Sequence, residues 1–146
     1  MATSISVNPA KADPKKAFLG VGLAFPPAAD SRGAIALVAY EEDIRQSIQI
    51  ILGTNPGERV MRPEFGAGLR DFVFEPANPS TIQRVQTRVQ EALIDWEPRV
   101  NVQAVTVTLD PAAKNALYIS ITYSVRATNT VANLVYPFFL QEGAGQ

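Results

Sequence analysis

Around Glu97-Pro98 the spacing of apolar residues switches from every third or fourth position to every second, and that switch sets the architecture. Before it, Ile82, Val85, Val89, Leu93 and Trp96 share one helical face, with Gln83, Arg84, Gln86, Arg88, Gln90 and Glu91 mostly on the other. Asn78 stands where an N-cap belongs, and Pro79 suits the first helical position. Pro98 disfavours helical geometry at Glu97, so the helix is predicted to end near Trp96. After the switch, Val100 and Val102, then Val105, Val107 and Leu109, alternate with a phase slip at Gln103-Ala104, which predicts a bulge or two contacting faces. Leu117, Ile119, Ile121, Tyr123 and Val125 alternate without a break, opposite Tyr118, Ser120, Thr122 and Ser124. Asp110 to Asn115 reads as the turn between them, and a last strand runs from about Val131 to Tyr136 and on toward Leu140.

The first half is less periodic. Met1 to Lys16 is small, polar and proline-containing, an extended or disordered arm ordered only by a partner. Phe18 to Phe25 reads as a short strand or packed extended segment, Pro26 to Gly33 as a loop, and Ala34 to Tyr40 as a buried strand. Glu41-Glu42-Asp43 then opens a helix whose dipole favours negative charge there; Ile44, Ile48, Ile51 and Leu52 share its face, and Gly53 stops it. The expectation is an α+β fold: a single domain with a mostly antiparallel sheet packed against two helices. An extended N-terminal arm (residues 1–17) precedes a domain at 18–141 and a flexible tail at 142–146. The arm and the C-terminal strand are the parts available for pairing between subunits.

Composition removes several classes of function. The 146 residues hold 13 basic and 14 acidic side chains, so no overall field points to nucleic acid or an anionic membrane. Cysteine and histidine are both absent, which removes thiolate chemistry, the usual zinc ligands and the usual general base. No cofactor or metal is expected. Lys15-Lys16 before Ala17 to Phe25 imitates a signal peptide, but two glycines dilute the apolar run and Pro26-Pro27 end it. No apolar run approaches the ~20 residues that span a bilayer. Gly66-Ala67-Gly68 has neither dinucleotide-fingerprint spacing nor a phosphate-loop lysine.

Three segments stand out as contact surfaces. The loop Thr54 to Gly66 places Pro56-Gly57 where a type II turn wants them, with Val60, Met61 and Phe65 expected to anchor it. Its Glu58-Arg59 and Arg62-Glu64 pairs fit either internal bracing or a partner contact. Glu97-Pro98-Arg99 follows the long helix; Arg99 either makes an exposed ion pair of little worth or a planar contact across a subunit interface. From Ala127 to Gln141 no residue is charged, while Val131, Leu134, Val135, Tyr136 and Phe138 are apolar. Such a strand either lies within its own sheet or pairs with a neighbouring chain by strand addition, with Pro137 limiting the ladder where it stands.

These motifs, in this order, resemble the baseplate wedge family of contractile tails, whose members initiate the sheath in contractile phages, type VI secretion systems and phage-tail-like injection particles. The resemblance rests on Phe18-Leu19-Gly20 with Phe25-Pro26, Ile44 to Thr54, Pro56-Gly57-Glu58-Arg59 and Pro63-Glu64-Phe65-Gly66. It continues through Phe74-Glu75-Pro76, Trp96-Glu97-Pro98-Arg99 and Asn133-Leu134-Val135-Tyr136-Pro137-Phe138. It implies a structural baseplate component, assembled in the bacterial cytoplasm as part of a tail. Glu97, Pro98 and Arg99 would dock to the core bundle of the wedge, and the terminal strand would template the first ring of sheath protein. Tube or hub proteins are further implied neighbours, with several copies in a sixfold baseplate. The family has also carried a lysozyme-like label, so a tail-associated peptidoglycan hydrolase is the alternative. Glu58, Glu64, Glu75, Asp95 and Glu97 are its candidate carboxylates, most with a nearby arginine or helix end, where the pairing works against a retained proton. A free-standing adaptor unrelated to tails is the third possibility.

Overall fold

Helix α2, Pro79–Trp96, has the boundaries its sequence dictates. The Asn78 side chain accepts a hydrogen bond from the Thr81 N–H at 2.8 Å, and Pro79 fills the first turn, where no N–H is needed. At the far end Glu97 donates its N–H to the Leu93 carbonyl and leaves helical geometry, as the residue before a proline does. Val85, Val89 and Leu93 are wholly buried and Trp96 is half-buried. The fold is seen in a computed structural model that describes residues 19–23, 29, 33, 37–112 and 115–140. The expected N-terminal arm, Phe18, Phe25 and the C-terminal tail lie outside the described residues.

The inner face of α2 lies on strand β3 (Val100–Leu109), one edge of an antiparallel sheet. Strand β4 (Ala116–Val125) is central, and β5 (Thr130–Phe139) forms the other edge. The phase slip in β3 is a bulge: Val102 faces Tyr123 and Ala104 faces Thr122, leaving Gln103 without a partner. The extra residue restores phase, so Val100, Val105 and Val107 all reach the buried face. Leu117, Ile119, Ile121, Tyr123, Val125 and Leu134 complete that face. Each wholly buried leucine or isoleucine contributes about 1.5–3 kcal/mol, so this apolar layer is the main force holding the sheet to its covering.

Strands β1 (Val21–Leu23) and β2 (Leu37–Ala39) form a separate antiparallel ribbon, and β2 runs directly into helix α1, Tyr40–Gly53. The Tyr40 N–H donates to the Gly20 carbonyl at 3.0 Å. The expected carboxylates occupy the first turn of α1, and Ile44, Ile48, Ile51 and Leu52 are its buried stripe. A 3₁₀ turn at Leu69–Phe72, unmarked by any periodicity, is entered through Gly68 at φ 67° and buries Leu69 and Phe72. The chain divides into two compact units, residues 1–47 and 48–146, with the division falling inside α1. Two helices and a three-stranded antiparallel sheet make the fold α+β, as expected. Among the described residues no helix is long and apolar enough to cross a membrane.

Candidate interaction surfaces

Strand β5 pairs with β4 along its whole length, from Thr130 opposite Val125 to Phe139 opposite Ala116. Just beyond, the Leu140 N–H donates to the Asn115 carbonyl at 2.7 Å, and this fixes the phase of the ladder. Antiparallel pairs alternate, so even-numbered residues of β5 bond to β4 and odd-numbered ones turn their N–H and C=O outward. The missing donor of Pro137 therefore falls on the outer side, where no internal bond is lost. Among the described residues nothing pairs with that outer edge. Leu134 is buried, Tyr136 and Phe138 are half-buried, and burial pushes the Tyr136 hydroxyl pKa up. Val131, Val135 and Phe139, on the opposite face, are each more than half exposed.

Glu97 and Arg99 close on each other within the chain. The guanidinium donates from Nε to Oε1 at 2.7 Å and from Nη2 to Oε2 at 2.8 Å, a bidentate pair. Glu97 is only 3 % exposed, while the Arg99 side chain is 30 % exposed and Pro98 is exposed. The surroundings are ordered by Arg126, whose N–H bonds the Arg99 carbonyl and whose Nε bonds the Val100 carbonyl. The pair is thus neither a loose surface contact nor a carboxylate held open for a partner.

The loop between α1 and the 3₁₀ turn is braced from three directions. Asn55-Pro56-Gly57-Glu58 is the expected turn, closed by Glu58 N–H to Asn55 carbonyl at 3.1 Å with Gly57 at φ 93°. The Gly57 N–H reaches the Pro63 carbonyl at 2.6 Å, so residues 58–62 form a closed tip. Asn55 is the hub: its N–H and Nδ2 donate to the Glu58 carboxylate, and its Oδ1 accepts from the Arg70 N–H. Those two hydrogen bonds hold the Glu58 carboxyl below its ordinary range. Arg59 lies 4.1 Å over the Phe65 ring, and Phe65 packs on Trp96 with centroids 5.2 Å apart. One expectation is corrected. Val60 and Met61 do not anchor the loop but stand 94 % and 89 % exposed at its tip, because the backbone closure points them outward; the anchor is Phe65.

Of the five candidate hydrolase carboxylates only Glu75 lines the open groove along α2. Glu75 is ion-paired with Arg84 and also accepts from the Thr81 hydroxyl, Glu97 is closed by Arg99, and Glu64 and Asp95 are exposed. The groove has Phe72 as its floor, crossed by Arg84 and Arg88, which pair with Glu75 and Asp71. Among the described residues no cluster of three acidic side chains is placed to hold a metal ion.

Sequence and structure comparisons agree on where such a chain belongs. Over 76 % of its length it is 53 % identical to the whole of a Geobacter sulfurreducens protein described as a putative tail lysozyme, with a TM-score of 0.68. A chain in the cryo-EM structure of the anti-feeding prophage baseplate, symmetrised sixfold, is 27 % identical; the match covers 92 % of this chain and 96 % of that one, with a TM-score of 0.65. Baseplate protein W of Escherichia phage P2 is 38 % identical over 65 residues, 44 % of this chain and 56 % of that protein. The chain spans about half the length of the curated relatives it matches. The family model for baseplate wedge protein gp25 matches residues 38–130, the stretch that holds α1, the braced loop, α2, β3, β4 and the hairpin into β5, and the chain therefore belongs to that family.

Proposed function

We propose that this chain is a structural wedge subunit of a contractile injection baseplate, docking to the core bundle of the wedge and starting sheath growth by strand addition at β5. The observation that carries the reading is the open outer edge of β5. It presents backbone donors at Val131, Asn133, Val135 and Phe139 and no charge from Ala127 to Leu140. Exposed edge strands are ordinarily blunted by charges or bulges, and this one carries only Pro137. A partner strand from the sheath protein would satisfy those groups in a register that the ladder itself sets. Docking to the wedge falls to Pro98 and the exposed part of Arg99, with Glu97 as the group that fixes the guanidinium plane. Several copies around a sixfold axis fit the likeness to a chain of the sixfold-symmetrised anti-feeding prophage baseplate, and tube or hub proteins are further neighbours under this reading. A hydrolytic role has little support in the side chains: Glu58 is held below its ordinary range, opposite to what a proton donor requires.

Because Leu134 and Leu140 are buried, removing the strand would unfold the sheet, so the test must spare its inner side. Val135→Pro deletes an outward donor without breaking a β4–β5 bond, and Val135→Lys places a charge beside the same edge. With folding verified by circular dichroism, both variants should lower the yield of sheathed particles at least about tenfold on baseplates that have incorporated them. Sheath assembly at the wild-type level on baseplates carrying either folded variant would refute templating by this edge.

A further inference from the structure

We propose that Val60 and Met61 form an apolar knob that seats the chain in a socket on a neighbouring protein subunit of the wedge, an apolar recess with a carboxylate at its rim. The inference rests on the wedge reading above and names a contact which that reading lacks. Two consecutive large apolar side chains at 94 % and 89 % exposure form an unusual surface feature. The Gly57–Pro63 closure and the Asn55–Glu58 brace hold the backbone at the base of the tip, which limits the backbone freedom lost on binding.

The charges of the tip say what kind of surface fits. Glu58 is drawn down onto Asn55, and Arg59 is laid back over Phe65. Arg62, beside Met61, is exposed at the tip, and a carboxylate at the socket rim would answer it. Glu64 follows Pro63, outside the closing hydrogen bond, and belongs to the base of the loop. A membrane fits less well, because Glu58 is exposed on the same five-residue tip and would be pressed against anionic headgroups. The place of the knob ties it to the wedge. Phe65 rests on Trp96, the immediate neighbour of Glu97-Pro98-Arg99, so the knob and the proposed wedge-docking segment share one end of α2.

The test uses the full-length chain carrying Val60→Ser and Met61→Ser, co-expressed with the complete gene set of the particle. Both positions are solvent-exposed, so the melting temperature should stay within about 2 °C of wild type. Its recovery in purified wedge subcomplexes should fall at least about tenfold, with Arg62→Glu giving a smaller loss in the same direction. A photo-crosslinking p-benzoylphenylalanine in place of Met61 should link to one wedge subunit. Equal recovery of variant and wild type, or crosslinks only to phosphatidylglycerol vesicles offered in competition, would overturn the knob while leaving the wedge reading standing. Absence of the wild-type chain from the subcomplex would bring down both.

Discussion

Glu58-Arg59 and Glu97-Pro98-Arg99 look interchangeable as sequence, each a glutamate and an arginine near a proline, yet the fold puts them to opposite uses. At the end of α2 the chain turns straight into β3, whose first residue, Val100, is buried, and the Glu97 carboxylate is carried out of water with it. A buried carboxylate needs a partner, and Arg99 gives both of its oxygens one. In the loop the carboxylate of Glu58 stays in solvent, where an adjacent arginine offers little, so Arg59 turns away to the Phe65 face and Glu58 binds Asn55. Between these two clusters, burial rather than adjacency in sequence separates the glutamate and arginine that close on each other from those that do not. The buried cluster becomes part of the frame, and the exposed one shapes a surface.

The largest expected effect tests the buried half of that contrast. Arg99→Ala leaves Glu97 charged, buried and without its guanidinium, which should lower unfolding stability by about 3–5 kcal/mol in urea titration. The double variant Glu97→Ala/Arg99→Ala removes the stranded charge and should recover part of the loss, a coupling that a surface pair would not give. A loss below about 1 kcal/mol for Arg99→Ala would place the pair among ordinary surface contacts and erase the distinction between the two clusters.

The parts legible in the sequence were those governed by local periodicity. The cap at Asn78, the stop before Pro98, the slip at Gln103 and the alternation of β4 each follow from a residue and its near neighbours, and each lies where expected. The last strand was legible as a strand, but its double nature was not. That β5 is sealed against β4 on one side and open on the other depends on strand order, which periodicity does not encode. The loop misled for a related reason. Val60 and Met61 are apolar and so read as anchors, but the long-range closure from Gly57 to Pro63 sets their direction. The 3₁₀ turn at Leu69–Phe72 is too short for a helical period, and the left-handed Gly68 before it was its one available signal.

The exposed cluster depends on its glycines unequally, and this sharpens the contrast at a smaller scale. Gly66 sits at φ 118°, and a Cβ there would meet the Thr54 carbonyl group, which is backbone and cannot swing aside. Gly57 sits at φ 93° with open space around it. Gly66→Ala should therefore cost about 2–4 kcal/mol through strain and a forced backbone shift. Gly57→Ala should cost about 1–2 kcal/mol through strain alone. Thermal or urea unfolding of both variants measures the difference. If the two were equal, the backbone of the loop would be relaxing around Gly66, and the backbone hold assigned to the base of its tip would be lost.

The smallest effect is also the most specific to the exposed cluster. Folding lowers the Glu58 pKa below its ordinary value of 4.5, chiefly through the hydrogen bonds from Asn55. The folded state therefore favours the ionised carboxylate. The resulting contribution is present above the ordinary carboxylate range and is lost as pH falls through the lowered folded value. Carbon-13 NMR titration of the Glu58 carboxyl should show that depression in the wild-type chain, and Asn55→Ala should return the group toward its ordinary value. Arg59→Gln should leave the titration almost unchanged, because the guanidinium attends to Phe65. Arg70, the nearby cation that does lower the Glu58 pKa, makes a smaller contribution than the Asn55 bonds, so Arg70→Gln should move it less than Asn55→Ala does. A titration that responded to Arg59 and ignored Asn55 would mean that Glu58 and Arg59 pair in solution after all. The two clusters would then be two copies of one device, and proximity in sequence would have been a sufficient guide to both.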